Sequence, residues 1–362
     1  MLSVAIFGAG FMGATHAAAY ARREGVRVAA VVDPDYGRAQ VLAGRFGANA
    51  FADPGPVFAD RGIQAVSVCS PTPFHAEHVI AAAKAGKHVL CEKPLDITLA
   101  KMDEMIEAAE ENRIKLACVF QNRTLPNHHL VREVLRSGKL GKLVLGDCYQ
   151  KYTRSHAYYG SAGWRATWEL DGGGCLMNQG VHGVDLIQWL MGRVVRVNAH
   201  ARRLTRNIAV EDTVVALLEY ENGALGVLEG TTSILPGEGM RVEIAGSKGS
   251  INLSNGKITK WAVPGEENPD VSEASPGEPT TATDPLALAA TGHQAHVEDL
   301  CAALRENREP AIPGREGRHA VEIIKAIYLS SREGGATVEL PLSCDDDGPG
   351  IYPSLAAPRL QW

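Results

Sequence analysis

The sequence predicts an α/β domain with a parallel sheet over residues 1–123. An α+β domain with an open, mostly antiparallel sheet follows over 124–340, and then a tail over 341–362. Three observations carry this reading. The first third alternates apolar runs with helical segments, the pattern of parallel strands covered on both faces. A GxGxxG turn, Gly8, Gly10 and Gly13, follows the first apolar run directly and opens a helix. Beyond Arg123 the texture changes to short strands with turn signals, of which Asn222-Gly223 is the clearest. A chain of 362 residues is also long for one hydrophobic core, so two domains are expected.

Taken in order, SVAIFGAGFMG is a strand, a tight turn and a helix start, and the helix is expected to run to Gly25. VRVAAVVD is a second buried strand closed by Asp33, and a polar helix spans Asp35 to Arg45. QAVSVCS is a third strand, ended by PTP, before the helix of FHAEHVIAAAKAG. KHVLCEKP, the helical block 98–112 and the strand IKLACVF complete the first domain. In the second, residues 127–140 read as a helix and LVLGDCYQKYTR as a strand. The aromatic loop SHAYYGSAGWRATWELDGGG comes next, and it suits a polar pocket for a compact polyol or packs a domain seam. TVVALLEYENGALGVLEGTTS is a hairpin, and RVEIAGSKGSINLSNGKITKW adds further strands. Residues 261–292 hold five prolines and no lysine or arginine, and read as a surface excursion.

Composition bounds the function. Hydrophobic residues make up 45% and charged residues 22%, a globular balance, and a net charge of -6 argues against nucleic acid as a partner. No run of 18 apolar residues is present, so no membrane span is expected. The seven cysteines are odd in number and form no CxxC. Neither a disulfide framework nor a metal site is expected, and a reducing cytoplasm fits. MLSVAIFGAG reads as a strand rather than a secretory leader.

Ligands of parallel sheets bind beyond the carboxyl ends of the strands. Gly8 makes the tight turn, Gly10 lets backbone approach a pyrophosphate, and Gly13 packs helix on strand. Phe11 and Met12 stand at the helix N-terminus with its unpaired N–H groups. Asp33, 20 residues beyond Gly13, is placed to accept from both ribose hydroxyls and to repel a 2′-phosphate, which favours NAD over NADP. Ser70, Thr72 and Pro73 are expected to line the cofactor, and His75 is either a helix-start residue or a ribose contact. Glu92 and Lys93 are presented at a strand end, Pro94 biasing Lys93 toward an extended backbone. The Lys93 ammonium would donate to a substrate hydroxyl, or it is a solvated loop lysine. Gln121, at the next strand end, would reach nicotinamide or substrate. In GGGCLMNQGVHGVD, Asn178 and His182 stand four apart, on one face of a helix.

The stretches VAIFGAGFMG, CSPTPFHAEH, CEKPLD, VFQNR, WRATWELDGGGCLMNQGVHGVDLIQWLMG and IKAIYLSSREGG together resemble one family. It is the glucose–fructose oxidoreductase, inositol dehydrogenase and rhizopine-catabolism family of NAD(P)-dependent oxidoreductases, and the likeness runs over residues 2–335. The resemblance implies a Rossmann domain followed by a domain with a large, mostly antiparallel sheet through which members form dimers or tetramers. It implies hydride transfer at a hydroxyl-bearing carbon of a sugar, sugar derivative or cyclitol. By the same resemblance, Lys93 is the lysine of the family's EKP motif and His182 its catalytic histidine, taking the hydroxyl proton while Lys93 steadies the oxygen. Asn178 falls where many members carry an aspartate. It either contacts substrate or caps the helix of His182. Trp164 and Arg165 either close over the cofactor or belong to a subunit contact. Tyr152, Arg165 and His293 are candidate substrate contacts, His293 being equally a capping or packing residue. Two other readings stand beside a dehydrogenase. One is an enzyme that retains NAD and performs a net non-redox conversion through a keto intermediate. The other is a non-catalytic NAD-binding sensor.

Overall fold

The computed structural model describes residues 1–160, 163–267, 269 and 289–342. The chain forms two compact units. The first comprises Met1–Thr124 and a returning segment that ends at Arg318; the second comprises the described residues from Leu125 and from His319.

In the first unit, β1 (Leu2–Phe7), α1 (Phe11–Ala21), β2 (Val26–Val32), α2 (Tyr36–Gly44), β3 (Asn49–Phe51) and α3 (Gly55–Ala59) are followed by β4 (Ala65–Val68), α4 (His75–Lys84), β5 (His88–Cys91), α5 (Leu99–Glu111) and β6 (Leu116–Cys118). The six strands are parallel, in the order β3-β2-β1-β4-β5-β6. The order reverses between β1 and β4, the switch point at which such sheets take their ligands. β1 and β4 are buried almost throughout, as parallel strands covered on both faces must be. Helix starts follow the sequence closely: Asp35 caps α2 by accepting from the Arg38 amide, and Thr98 caps α5 by accepting from Lys101. α1 stops at Ala21, short of Gly25, because the Arg23 amide turns back three residues to the Tyr20 carbonyl. β3 and α3, three and five residues long, are too short to show a period in sequence. A helix from much later in the chain, Ala289–Glu306, packs against α1.

The second unit contains α6 (Pro126–Arg136), β7 (Leu143–Lys151), α7 (His156–Tyr159), α8 (Val181–Met191), β8 (Val194–Arg202), β9 (Thr213–Tyr220), β10 (Leu225–Thr231), β11 (Gly239–Gly246), β12 (Ser250–Ser254) and β13 (Lys257–Ala262). The helix at 289–306 is α9 in chain order; α10 (Gly314–Arg332) and β14 (Val338–Glu339) follow. The eight strands run β13-β12-β11-β7-β10-β9-β8-β14, all antiparallel except the β7–β10 pair. The predicted hairpin is β9–β10, turned at Asn222-Gly223. β8 was not foreseen, although its burial alternates with the period of a half-buried strand.

One face of this sheet is core: Val214, Ala216, Leu218, Leu228, Cys148 and Val242 are buried. The other face leaves Val215, Leu217 and Leu225 about half exposed beside Leu145, which lies opposite Leu225 on β7. No helix among the described residues is long and apolar enough to cross a membrane. Most of the proline-rich excursion and nearly all of the tail lie outside the described residues.

Candidate active site

The glycine turn of the first unit packs backbone on backbone at two positions and stays open at the third. Gly8 has φ +97°, and a Cβ there would stand 2.6 Å from the Cys69 carbonyl oxygen. A Cβ on Gly13 would stand 1.8 Å from the Gly8 oxygen, so only glycine lets α1 pack this close to the strand. A Cβ on Gly10 would meet nothing within 4 Å: the backbone faces open space. Gly10 is the N-cap of α1 and brings no side chain, which leaves the first amides of the helix for an anion. Phe11 is exposed there and Met12 half-buried. Asp33 is buried just past the end of β2. Its carboxylate accepts from the Ala9 amide at 2.7 Å and from the Asp35 amide at 2.9 Å. Its first task is thus to tie the glycine turn to β2, and each oxygen keeps a lone pair for a ribose hydroxyl. A cleft of about 450 Å³, lined by Ala9, Ala14, Asp35, Arg38, Leu42 and Arg45, opens on this side.

The other candidates in this unit lie at the ends of β4, β5 and β6. Ser70 bonds His78 at 3.0 Å, Thr72 is buried and Pro73 half-buried. His75 opens α4, but its ring is buried. Nε2 faces the Ser70 carbonyl at 2.8 Å, and Nδ1 faces those of Pro94 and Leu95 at 3.0 and 3.2 Å. It therefore stitches two strand-end loops together. Lys93 is half-buried before a cis bond to Pro94. Gln121 is half-buried against Gly292 of α9.

Beneath Lys93 is a cluster that no sequence spacing announced. Glu92 Oε1 lies 3.0 Å from His16 Nε2 and 3.0 Å from His293 Nε2, and Oε2 accepts from the Lys93 amide at 3.2 Å. All three side chains are buried. His293 is therefore no helix-start residue but sits inside α9, bonded to Glu92 just past the end of β5. The His16 ring continues to Ser67 at 3.1 Å, and Ser67 to the Tyr20 hydroxyl at 3.1 Å. Burial raises the cost of charging Glu92, but the charges and hydrogen bonds of His293 and His16 outweigh it and hold the carboxyl well below the usual range. Burial pushes His16 down, and pushes His296, which accepts from the Phe120 amide, to about 3.

In the second unit the chain reaches α8 through Asp171 and three glycines. Glu211, 1% exposed, accepts from the Gly174 amide at 2.8 Å, the Leu176 amide at 3.1 Å and the Tyr328 hydroxyl at 2.8 Å. A Cβ on Gly174 would stand 1.8 Å from the Glu211 carbonyl oxygen, which explains a glycine here. Leu176–Gly180 then forms a π-helical turn, and regular α geometry begins only at Val181. The spacing argument for Asn178 and His182 assumed one continuous α-helix, and the π turn interrupts it. The N-cap position of α8 falls on Gly180, so Asn178 is not the cap. Its Nδ2 instead donates to Asp171 at 3.0 Å, while its Oδ1 accepts from Gln179 at 2.9 Å and from the Tyr158 hydroxyl at 3.4 Å. Tyr158 in turn accepts from Gln179 at 2.6 Å and from Arg165 at 2.8 Å. The Arg165 guanidinium lies over both Tyr158 and Trp164 at 4.5 Å. His182 is half-buried in the first turn of α8, and Tyr152 is buried under Arg154. Trp168 bonds the Ala209 carbonyl and packs edge-on against Tyr328.

The sequence reading missed His16, Asp171, Tyr158, Gln179 and Glu211. Only Asp171, next to the triple glycine, carries a local signal; the rest are joined by the fold.

Two outcomes follow from this geometry. Gly10→Ala should fold with a Tm near that of the natural chain yet lose at least tenfold in NAD affinity by calorimetry, whereas Gly13→Ala should be grossly destabilised. Burial raises Glu211 to about 7, with the Tyr328 hydroxyl and the backbone amides opposing. An acid raised on folding stabilises fully below its ordinary pKa, and that contribution is lost as pH rises through the folded value. Thermal stability should therefore fall by roughly 1–3 kcal/mol between about pH 4.5 and 7.5. Glu211→Gln should remove this slope in pH-resolved melting curves.

Comparison with known proteins agrees with both units. The model for the oxidoreductase family with an NAD-binding Rossmann fold matches residues 2–120, and that for the GFO/IDH/MocA C-terminal domain matches 128–252. The chain is 32% identical to a D-glucoside 3-dehydrogenase of Escherichia coli over 274 residues, 70% of this chain and 77% of that one. It is 30% identical to a myo-inositol 2-dehydrogenase of Thermotoga maritima over 276 residues, 74% and 79% of the two chains. The WlbA dehydrogenase of Bordetella pertussis, solved with NADH and UDP-GlcNAcA, superposes with a TM-score of 0.83 at 30% identity over 94% of this chain and 99% of that one. The chain thus belongs to the GFO/IDH/MocA family of oxidoreductases, with an NAD-binding Rossmann domain.

Proposed function

We propose that this protein is an NAD-dependent dehydrogenase of a hydroxyl-bearing carbon in a sugar, sugar derivative or cyclitol. The observation that carries the reading is the glycine turn, closed at Gly8 and Gly13 and open at Gly10, in a chain of this family. The names of the glucoside, inositol and sugar-nucleotide relatives support the substrate class. When bound, NAD accepts the hydride. The protein must hold the two reactants and manage one proton. His182 takes the hydroxyl proton, a task suited to an imidazole with a reference pKa of about 6.5. Lys93 donates to the same oxygen and favours its developing charge. Asn178, held by Asp171 and Gln179, offers its amide to a neighbouring substrate hydroxyl rather than a charge to His182. Gly8, Gly10, Gly13, Phe11 and Met12 hold the pyrophosphate, and Asp33 the adenosine ribose. Ser70, Thr72, Pro73, Glu92 and Gln121 line the nicotinamide half, with His75 shaping their loops. Arg165, Trp164 and Tyr152 serve the substrate and cofactor side of the second unit.

The half-exposed Val215, Leu217 and Leu225 support a homodimer or homotetramer through the second sheet. Six described cysteines are free thiols, which supports a reducing cytoplasm.

A panel of monosaccharides, inositols, anhydrosugars and glycosides, followed at 340 nm with NAD and NADP, should give turnover with NAD and little with NADP. Lys93→Met and His182→Ala should each lower kcat by about 10²-fold or more; near-normal turnover in either would remove its assigned role. Leu217→Glu should shift the protein to a smaller species in light scattering, and an unchanged mass would place any interface elsewhere.

A further inference from the structure

The helix that carries His182 meets the second sheet at one buried amide. Gln150 stands next to last in β7, is 0% exposed, and donates from Nε2 to the Gly180 carbonyl at 3.0 Å. Gly180 closes the π turn and is the N-cap of α8, so the contact falls where π geometry gives way to α. A π turn inserts a residue and changes the angular offset between the side chains on either side of it. Asn178 lies before that junction and His182 two residues after it. The amide also fits the backbone closely. A Cβ on Gly183 would stand 2.4 Å from Gln150 Cδ, and one on Gly180 would stand 3.4 Å from its Nε2. Glycines on both sides of His182 thus let the first turn of α8 lie directly on this side chain.

The other end of the amide is left over. Gln150 Oε1 is buried with no hydrogen-bond partner among the described residues. A buried acceptor left unpaired is destabilising, and an apolar side chain of the same shape avoids that penalty. The one donated bond is set against it, so stability gives little reason for a glutamine. What glutamine adds is a fixed carbonyl at the junction. Glu211 holds the approach to the π turn through the Gly174 and Leu176 amides, and Gln150 holds its far end.

We propose that Gln150 is a positioning residue for the reaction: its amide fixes where the π turn ends, and thereby how the His182 imidazole is set relative to Asn178. Gln150 touches neither substrate nor cofactor and acts only through the backbone of α8. The inference rests on the reading that His182 takes the proton of a substrate hydroxyl.

The test compares two substitutions in the full chain, assayed with a member of the panel of monosaccharides, inositols, anhydrosugars and glycosides that the natural chain turns over. Gln150→Met keeps the shape and removes both polar ends. Its Tm should stay near the natural value and its Kd for NAD, measured by calorimetry, should not move. Its kcat should fall by roughly ten- to a hundredfold, the scale of a small misplacement of a reacting group. Gln150→Glu keeps the shape and donates to Gly180 only while the new carboxyl is protonated. Its kcat should match the natural chain at the acid end of the pH profile. The ratio of the two should then fall as pH rises through the ionisation of that carboxyl, which burial raises above the usual range. A natural kcat in Gln150→Met overturns the proposal, as does a loss of kcat that only accompanies a lower Tm and weaker NAD binding. A ratio independent of pH in Gln150→Glu also overturns it, and this holds even if Gln150→Met does not fold. Near-natural turnover in His182→Ala, or turnover of none of the panel by the natural chain, would refute the reading of the site itself and this assignment with it.

Discussion

The two glycine-rich turns that open α1 and lead to α8 leave backbone amides that no helix or strand satisfies, and in each a buried carboxylate takes them. Asp33 does this for the turn between β1 and α1, and Glu211 for the approach to α8. Glycine is needed because backbone passes close to backbone, and close passage excludes both water and side-chain caps. A carboxylate arriving from a neighbouring strand is then the acceptor that both reaches the amides and fixes the turn. Remove it and the amides are orphaned, so the geometry of both turns rests on this one constraint.

The same logic explains why the charges differ in kind. Glu211 accepts two amides and a tyrosine hydroxyl in a fully buried setting, and burial dominates, lifting it toward neutrality. Glu92 is as deeply buried but faces two imidazoles, and they hold it ionised. The partners a buried carboxyl faces, rather than its depth alone, therefore decide whether it stays ionised.

Asn178 works beside a carboxylate without being one. Its amide nitrogen is bonded to the buried Asp171 seven positions earlier. An amide cannot raise the basicity of a nearby imidazole as a charge does, yet it passes on position through Tyr158 and Gln179. The π turn at Leu176–Gly180 sets where this side chain stands relative to the regular helix that follows.

Local spacing alone determined the alternation of strands and helices in the first unit, the Gly8–Gly10–Gly13 turn with Asp33, and the Asn222-Gly223 hairpin. In each case the residues that cooperate lie within one supersecondary unit, so periodicity and turn chemistry suffice to read them. The tertiary structure alone decided what joins distant segments. His16, Glu92 and His293 come from three separate segments, the last about 200 residues beyond the second, and no pattern in sequence encodes their meeting. The return of α9 to the first unit, the parallel β7–β10 pair and the reach of Glu211 to Gly174 are of the same kind. They depend on which surfaces bury against one another, and burial between remote segments leaves no trace in the order of the residues.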